Sequence, residues 1–153
     1  MKRFVFLTAI LLSVSAVISC DTYEDGKPVA DVLNVFEKMY PGARDVEWER
    51  EGPYWEVSFE TGSYPDEVDH SAWFTTDGAW VRTETDIFIT AVPESIMKAI
   101  QESEYASAVL EDTDVDYIQT PEGNYYQFDL IYQGSRIEVN VTEDGQVSRA
   151  SAF

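Results

Sequence analysis

Carboxylates dominate the groups in this sequence that could do chemistry. The 153 residues include 29 Asp and Glu against 10 Lys and Arg, with one His and one Cys. A pair of carboxylates can serve as acid and base in glycoside hydrolysis, and Glu56, Glu84 and Asp129 are the residues from which such a pair could be drawn. That chemistry needs a defined separation and a pocket. With so many acids in the chain, no particular pair stands out, and no catalytic residue is assigned. Asp112, Asp114 and Asp116 have the spacing that opens an EF-hand loop, but Tyr117 stands where the loop needs Gly and Gly123 where it needs Glu. The segment reads as a solvated strand end, with weak calcium binding as the alternative. His70 is the one His of the sequence, and a lone His cannot make a zinc site unaided, so it reads as structural. The glycines are scattered in turns and form no phosphate-cradling loop. The expectation is therefore no enzyme, no metal and no cofactor. Two other readings compete with it: a hydrolase that works on an envelope polymer through paired carboxylates, and a metal-responsive sensor built on Asp112 to Asp116.

Cys20 has a different chemistry. Met1-Lys2-Arg3 is a basic start, and Phe4 to Ile18 is an apolar run too short to span a bilayer comfortably. It ends in Val17-Ile18-Ser19-Cys20, which resembles a bacterial lipobox. A lone Cys in an exported chain has no internal disulfide partner, so lipid attachment gives the thiol a purpose. The reading is a lipoprotein-type signal peptide at 1–19, lipidation at Cys20 and a short tether over 20–27. The protein is then placed in the cell envelope, in the periplasm or at the outer membrane, and held to the membrane by that anchor alone. The net charge of −19 repels nucleic acid and anionic headgroups.

Aromatics supply the third kind of chemistry, which is recognition. Strand alternation places Trp48, Trp55, Phe59, Phe74, Tyr126, Phe128 and Tyr132 on a core face with Val57, Val81, Leu130, Ile137, Val139 and Val141. The opposite face receives Tyr54, Glu56, Trp73, Trp80, Arg82, Tyr125, Gln127, Asp129 and Arg136. Aromatics and Arg are enriched at interface hot spots, so these nine residues are the candidate binding face for a protein or peptide of unknown identity.

The elements that position these residues follow from periodicity. Val29, Val32, Leu33, Phe36, Met39 and Tyr40 share one face of a helix that starts at Pro28 and ends before Pro41-Gly42. Strands follow over 44–49, 54–60, 68–76 and 79–85, the last two joined at Asp77-Gly78. Asp86 to Val92 reads as a crossing segment. Pro93 then starts a second helix with Ile96, Met97 and Ile100, and Glu102 to Glu111 is a helical turn or a packed loop. Strands follow over 113–119, 124–132, 136–141 and 146–150. Pro28 and Pro93, Gly52 and Gly123, and Asp77-Gly78 and Asp144-Gly145 recur at similar offsets. The expected fold is α+β. It is a tandem repeat of two α-β-β-β-β units, 28–90 and 91–153, each an antiparallel sheet with a helix on one face.

The run Phe36-Glu37-Lys38-Met39-Tyr40-Pro41-Gly42-Ala43 with Val46-Glu47-Trp48, then Gly78-Ala79-Trp80 with Thr83-Glu84-Thr85, then Val92-Pro93, Ile96 and Ile100, resembles the PepSY-like, β-lactamase-inhibitor-like proteins of Bacteroides-type bacteria. The resemblance spans Pro28 to Val147. It implies tandem αβ4 repeats, a cell-envelope location and no established enzymatic activity. Inhibition of a β-lactamase is not implied, because fold alone does not carry function.

Overall fold

A computed structural model describes residues 27–151 of the chain. The expected signal peptide, the lipidation at Cys20 and all of the tether except Lys27 lie outside the described residues.

Helix α1 runs over Ala30–Met39, and its buried side chains are Val32 and Phe36, one turn apart. Val29 is the N-cap, so Pro28 precedes the helix and is not its first residue. The Tyr40 N–H donates to the Phe36 carbonyl at 2.8 Å, and Pro41 then ends the ladder. Four strands follow: β1 (Arg44–Glu51), β2 (Tyr54–Thr61), β3 (Val68–Thr75) and β4 (Trp80–Phe88). A 3-10 turn, Ile89–Ala91, leads to α2 (Glu94–Gln101), for which Pro93 is the N-cap. Then come β5 (Val109–Leu110), β6 (Asp114–Thr120), β7 (Gly123–Tyr132), β8 (Ser135–Thr142) and β9 (Val147–Arg149).

The α+β class is as expected, but the strands form one sheet instead of two. Among the described residues its order is β1-β2-β3-β4-β6-β7-β8-β9, with the short β5 beside β7. Two elements differ from expectation, and the first of them makes the join. β4 runs on through Asp86, Ile87 and Phe88, residues read from sequence as a crossing segment, and it pairs antiparallel with β6 from Thr83–Gln119 to Phe88–Asp114. The ambiguous segment after α2 delivers β5, which pairs Val109 with Ile131 and Leu110 with Leu130.

The register carries one parity across the sheet. Trp55, Val57 and Phe59 pair with Phe74, Ala72 and His70, and on the far side of the join Ile87 pairs with Val115. Both helices pack on this side. Val32 and Phe36 lie over Trp55, Val57, Phe59, Ala72 and Phe74, with Trp48 and Tyr40 at the margin. Ile96 and Ile100 lie over Val115, Phe128, Leu130, Ile137, Val139 and Val141. Neither helix covers the other side.

The same hydrogen-bonded turn closes β3–β4 and β8–β9. The Thr75 Oγ1 donates to Asp77 at 2.5 Å and accepts from the Ala79 N–H at 2.9 Å. Thr142 makes the matching bonds to Asp144 and to the Gln146 N–H. Each turn abuts the helix of its own half. A Cβ on Gly78 would meet the Asp31 backbone at 3.6 Å, and one on Gly145 would meet the Ala99 Cβ at 3.8 Å. Both glycines also have positive φ, where a side chain is strained.

Candidate functional site

The uncovered side of the sheet falls into two regions. In the first, Glu56 of β2, Trp73 of β3 and Arg82 of β4 lie in one row across the strands. Trp73 is only 4% exposed although neither α1 nor α2 lies over it. Its indole N–H donates to Glu51 Oε2 at 2.5 Å, and the Arg82 guanidinium lies 4.1 Å above its ring centroid. Arg82 also pairs with Glu84 at 3.0 Å. Tyr54 stands half-buried at the end of this group, opposite Glu51 and Thr75. The Glu56 carboxyl is pushed up, first by burial and then by Glu51 and Glu49, against the pull of Arg82.

Trp80 does not belong to this group, contrary to its expected place on the binding face. Trp73 pairs with Arg82 but Phe74 pairs with Trp80, so Val81 is an extra residue in β4. A one-residue bulge turns the side chains before it to the other face. Trp80 therefore packs against the core under α1, where its indole N–H donates to Thr83 Oγ1 at 2.9 Å. Val81, expected in the core, is the bulged residue and lies outside it.

Between the two regions Ile118 is fully buried, with Glu84 and Tyr125 as its cross-strand neighbours. Burial also raises the Tyr125 hydroxyl. Next along the strands, Asp86 of β4 faces Asp116 of β6 directly. The Asp116 carboxyl is pushed up to about 7, first by burial, then by its hydrogen bond with Asp86 and by repulsion from Glu84, Asp86 and Asp129. Glu84 is raised as well, by burial against the pull of Arg82.

The second region holds Gln127, Asp129 and Arg136. Gln127 donates to Glu138 at 3.2 Å, and Arg136 bridges Asp129 at 2.5 Å and Glu111 at 2.7 Å. At this end the face is apolar and open. Phe88 is 69% exposed, Val109 66% and Ile131 36%. Ile131 and Val109 are direct cross-strand partners, and Phe88 ends β4 opposite Asp114.

Sequence reasoning missed all three of these residues. Phe88 lay in the supposed crossing segment and Val109 in the ambiguous one. Ile131 follows Gln127 and Asp129 at strict alternation, so parity alone could have found it.

Asp112 accepts from the Thr113 backbone N–H at 2.6 Å, while Asp114 and Asp116 belong to β6. Among the described residues no group of three or more His, Cys, Asp or Glu could hold a metal ion. His70 is on the helix side, stacked 4.9 Å from Phe59 and held between the Thr61 and Thr85 hydroxyls at 2.7 and 2.9 Å. Burial lowers its pKa, against the pull of Asp69 and Asp86. A shallow acidic groove of about 400 Å³ runs beside Asp45, Glu47, Glu60, Asp69, Glu84 and Asp86. No described helix is long and apolar enough to cross a membrane.

A family described as "Putative beta-lactamase-inhibitor-like, PepSY-like" matches residues 53–149. Among solved structures, the chain is similar to a BLIP-like protein from Bacteroides fragilis, at TM-score 0.70 and 23% identity over 81% of this chain and 86% of that one. It is also similar to a "putative periplasmic" protein from Bacteroides eggerthii, at TM-score 0.67 and 25% identity over 82% and 89%. A DUF2874 family protein from Bacteroides ovatus matches at TM-score 0.67 and 22% identity over 80% and 88%. No curated protein matches the chain.

Proposed function

The chain belongs to the PepSY-like, β-lactamase-inhibitor-like family, and from that premise we propose that it is a non-enzymatic cell-envelope protein that binds a protein or peptide on the uncovered face of its sheet. The exposed group of Phe88, Val109 and Ile131 carries this reading. Apolar side chains gathered on one uncovered face, beside the charged residues of a rim, have the composition of an interface core. β-Lactamase inhibition is not part of the proposal, since a shared fold does not transfer a target.

Envelope location is supported by the apolar N-terminal run of the sequence and by the similarity to the Bacteroides eggerthii protein. Lipid anchoring at Cys20 belongs to the same reading. Cys20→Ser should move the protein out of the detergent phase in a partition assay, and partition equal to wild type would remove the anchor from the proposal. The two halves of the chain we read as copies of one αβ4 unit. The support is the pair of identical Thr-Asp-Gly turns, each seated against the helix of its half.

The test of binding is site-specific photo-crosslinking in the native bacterium. A photoreactive residue at Phe88 should yield a cross-link to another polypeptide, and one at Glu37 of α1, on the helix side, should not. The same products from both positions, or none from Phe88, would defeat the reading.

A further inference from the structure

The charges around the open apolar group restrict what can cover it, and this inference rests on the binding reading above. Asp114 faces Phe88 across the β4–β6 pair, and Asp86 faces Asp116 one step further along the same strands. The arginines on this face are already committed: Arg82, at the far end of β4, to Glu84, and Arg136 to Asp129 and Glu111. Among the described residues no ion pair neutralises Asp86, Asp114 or Asp116, so the negative charge beside Phe88 is under-compensated there. Burial first, then the hydrogen bond with Asp86 and repulsion from Glu84, Asp86 and Asp129, raises the Asp116 carboxyl.

We propose that the uncovered face takes a cationic, amphipathic peptide segment, with apolar side chains on Phe88, Val109 and Ile131 and lysine or arginine side chains meeting Asp86, Asp114 and Asp116. The alternatives fail on charge. Nucleic acid and anionic lipid are repelled. A second copy in a two-fold pairing sets the same acidic patch against itself. Geometry adds a sequence pattern. Phe88 and Asp86 are two residues apart on β4, a separation of roughly 6.5–7 Å, which is also the distance between alternate side chains of an extended peptide. A segment lying along the strands therefore presents an apolar residue and a basic residue two positions apart. The apolar contact supplies affinity, while the charge match supplies orientation and on-rate.

The experiment is selection from a displayed library of random short peptides against the folded mature chain at mildly alkaline pH, where Asp116 is ionised. Binding of the selected peptides is then measured by fluorescence anisotropy to wild type, Phe88→Ala, Asp116→Asn and, as a control on the helix side, Glu37→Gln. The expected winners alternate apolar with Lys or Arg. Their affinity should fall more than about tenfold on Phe88→Ala, as for an interface anchor. It should fall about two- to fivefold on Asp116→Asn, the size of one rim charge pair, and stay unchanged on Glu37→Gln. Raising salt should weaken binding further.

Phe88-dependent peptides that are neutral or acidic would overturn the cationic partner and leave the binding face standing. A lack of any Phe88-dependent peptide would overturn both. Polylysine bound equally by wild type and Phe88→Ala would reduce the effect to charge adsorption and defeat the proposal. So would a dimer in sedimentation that Phe88→Ala dissociates.

Discussion

Trp73 and Phe88 stand on the same uncovered face of one sheet, at opposite ends, and their surroundings differ completely. Trp73 is sealed by its own neighbours. Glu51 takes the indole N–H, Arg82 covers the ring, and Glu84 holds Arg82 in place. Phe88 has no such cover and is 69% exposed. An aromatic ring on an uncovered face is therefore not a binding signal in itself. What separates the two is whether neighbouring side chains already satisfy and shield it. The Trp73 end behaves as a small second core built from polar partners, and the Phe88 end stays open.

The largest expected effect sets the scale for that contrast. Phe74 is fully buried under α1. Phe74→Ala should cost about 3–5 kcal/mol in a denaturant titration, the usual range for an aromatic removed from a close-packed core. Trp73→Ala should come next, at about 3 kcal/mol, because the substitution opens a hole and also leaves Arg82 and Glu51 without the ring between them. A shift in midpoint for Trp73→Ala no larger than that of an ordinary surface substitution would break the comparison. It would place Trp73 with Phe88 as an accessible ring.

This contrast also marks where the sequence stopped being readable. Alternation put Tyr54, Glu56, Trp73 and Arg82 on one face, because all four lie on the same side of the β3–β4 bulge, where the register from β2 to β4 is regular. It failed at Trp80, since the bulge at Val81 adds a residue with no Gly or Pro to announce it. Parity says which side a residue faces but not whether that side is shielded, so Trp73 read as exposed. The helices and most strand limits were legible from periodicity. The single sheet was not. It depends on β4 continuing through Phe88 and pairing with β6, and pairing between strands far apart in sequence leaves no periodic trace in either one. Phe88 and Val109, which carry the functional reading, both lie in stretches where no regular pattern was visible.

Between the two ends stands the Asp86–Asp116 pair, which makes a pH-dependent prediction. The folded state holds the Asp116 carboxyl at about 7, whereas an unfolded Asp titrates near about 3.9. The folded chain therefore binds the extra proton over that interval. Stability falls as pH rises from about 4 to about 7, and the penalty is complete above it. The raised carboxyls of Glu56 and Glu84 act in the same direction. Asp77 and Asp144, lowered by the hydroxyls of Thr75 and Thr142, act oppositely but only at more acid pH. In thermal unfolding between about pH 5 and pH 8 the first group is opposed by His70, whose imidazole is held below its ordinary value by burial, so that its contribution rises with pH. Comparing wild type with Asp116→Asn over this window cancels the His70 part. Asp116→Asn should flatten the slope and stabilise the protein at the alkaline end by about 1–2 kcal/mol, discounted for partial solvent screening. An unchanged slope would mean that the pair carries no shared proton. The region between the two ends would then be an ordinary solvated rim.

The smallest expected effect on folding is the one that sharpens the comparison most. Phe88→Ala removes a ring that is mostly in water, so unfolding should shift by no more than about 0.5 kcal/mol. The direction has a reason as well. An exposed ring in a free protein gains little from burial on folding, and Ala at the end of β4 leaves the cross-strand pair with Asp114 intact, because that pair is made by backbone. A residue so cheap to replace has no structural reason to be a large aromatic. Its cost should appear only when the face is covered. A double-mutant comparison makes the point quantitative. Trp73→Ala and Phe88→Ala lie at opposite ends of the sheet and share no contact, so their effects on stability should add to within about 0.5 kcal/mol. If Phe88→Ala alone destabilises the chain as much as Trp73→Ala, then Phe88 is shielded in solution and the open end is a second sealed one. If it leaves stability alone while abolishing peptide binding, the two rings divide as the structure divides them, one holding the sheet and the other holding a partner.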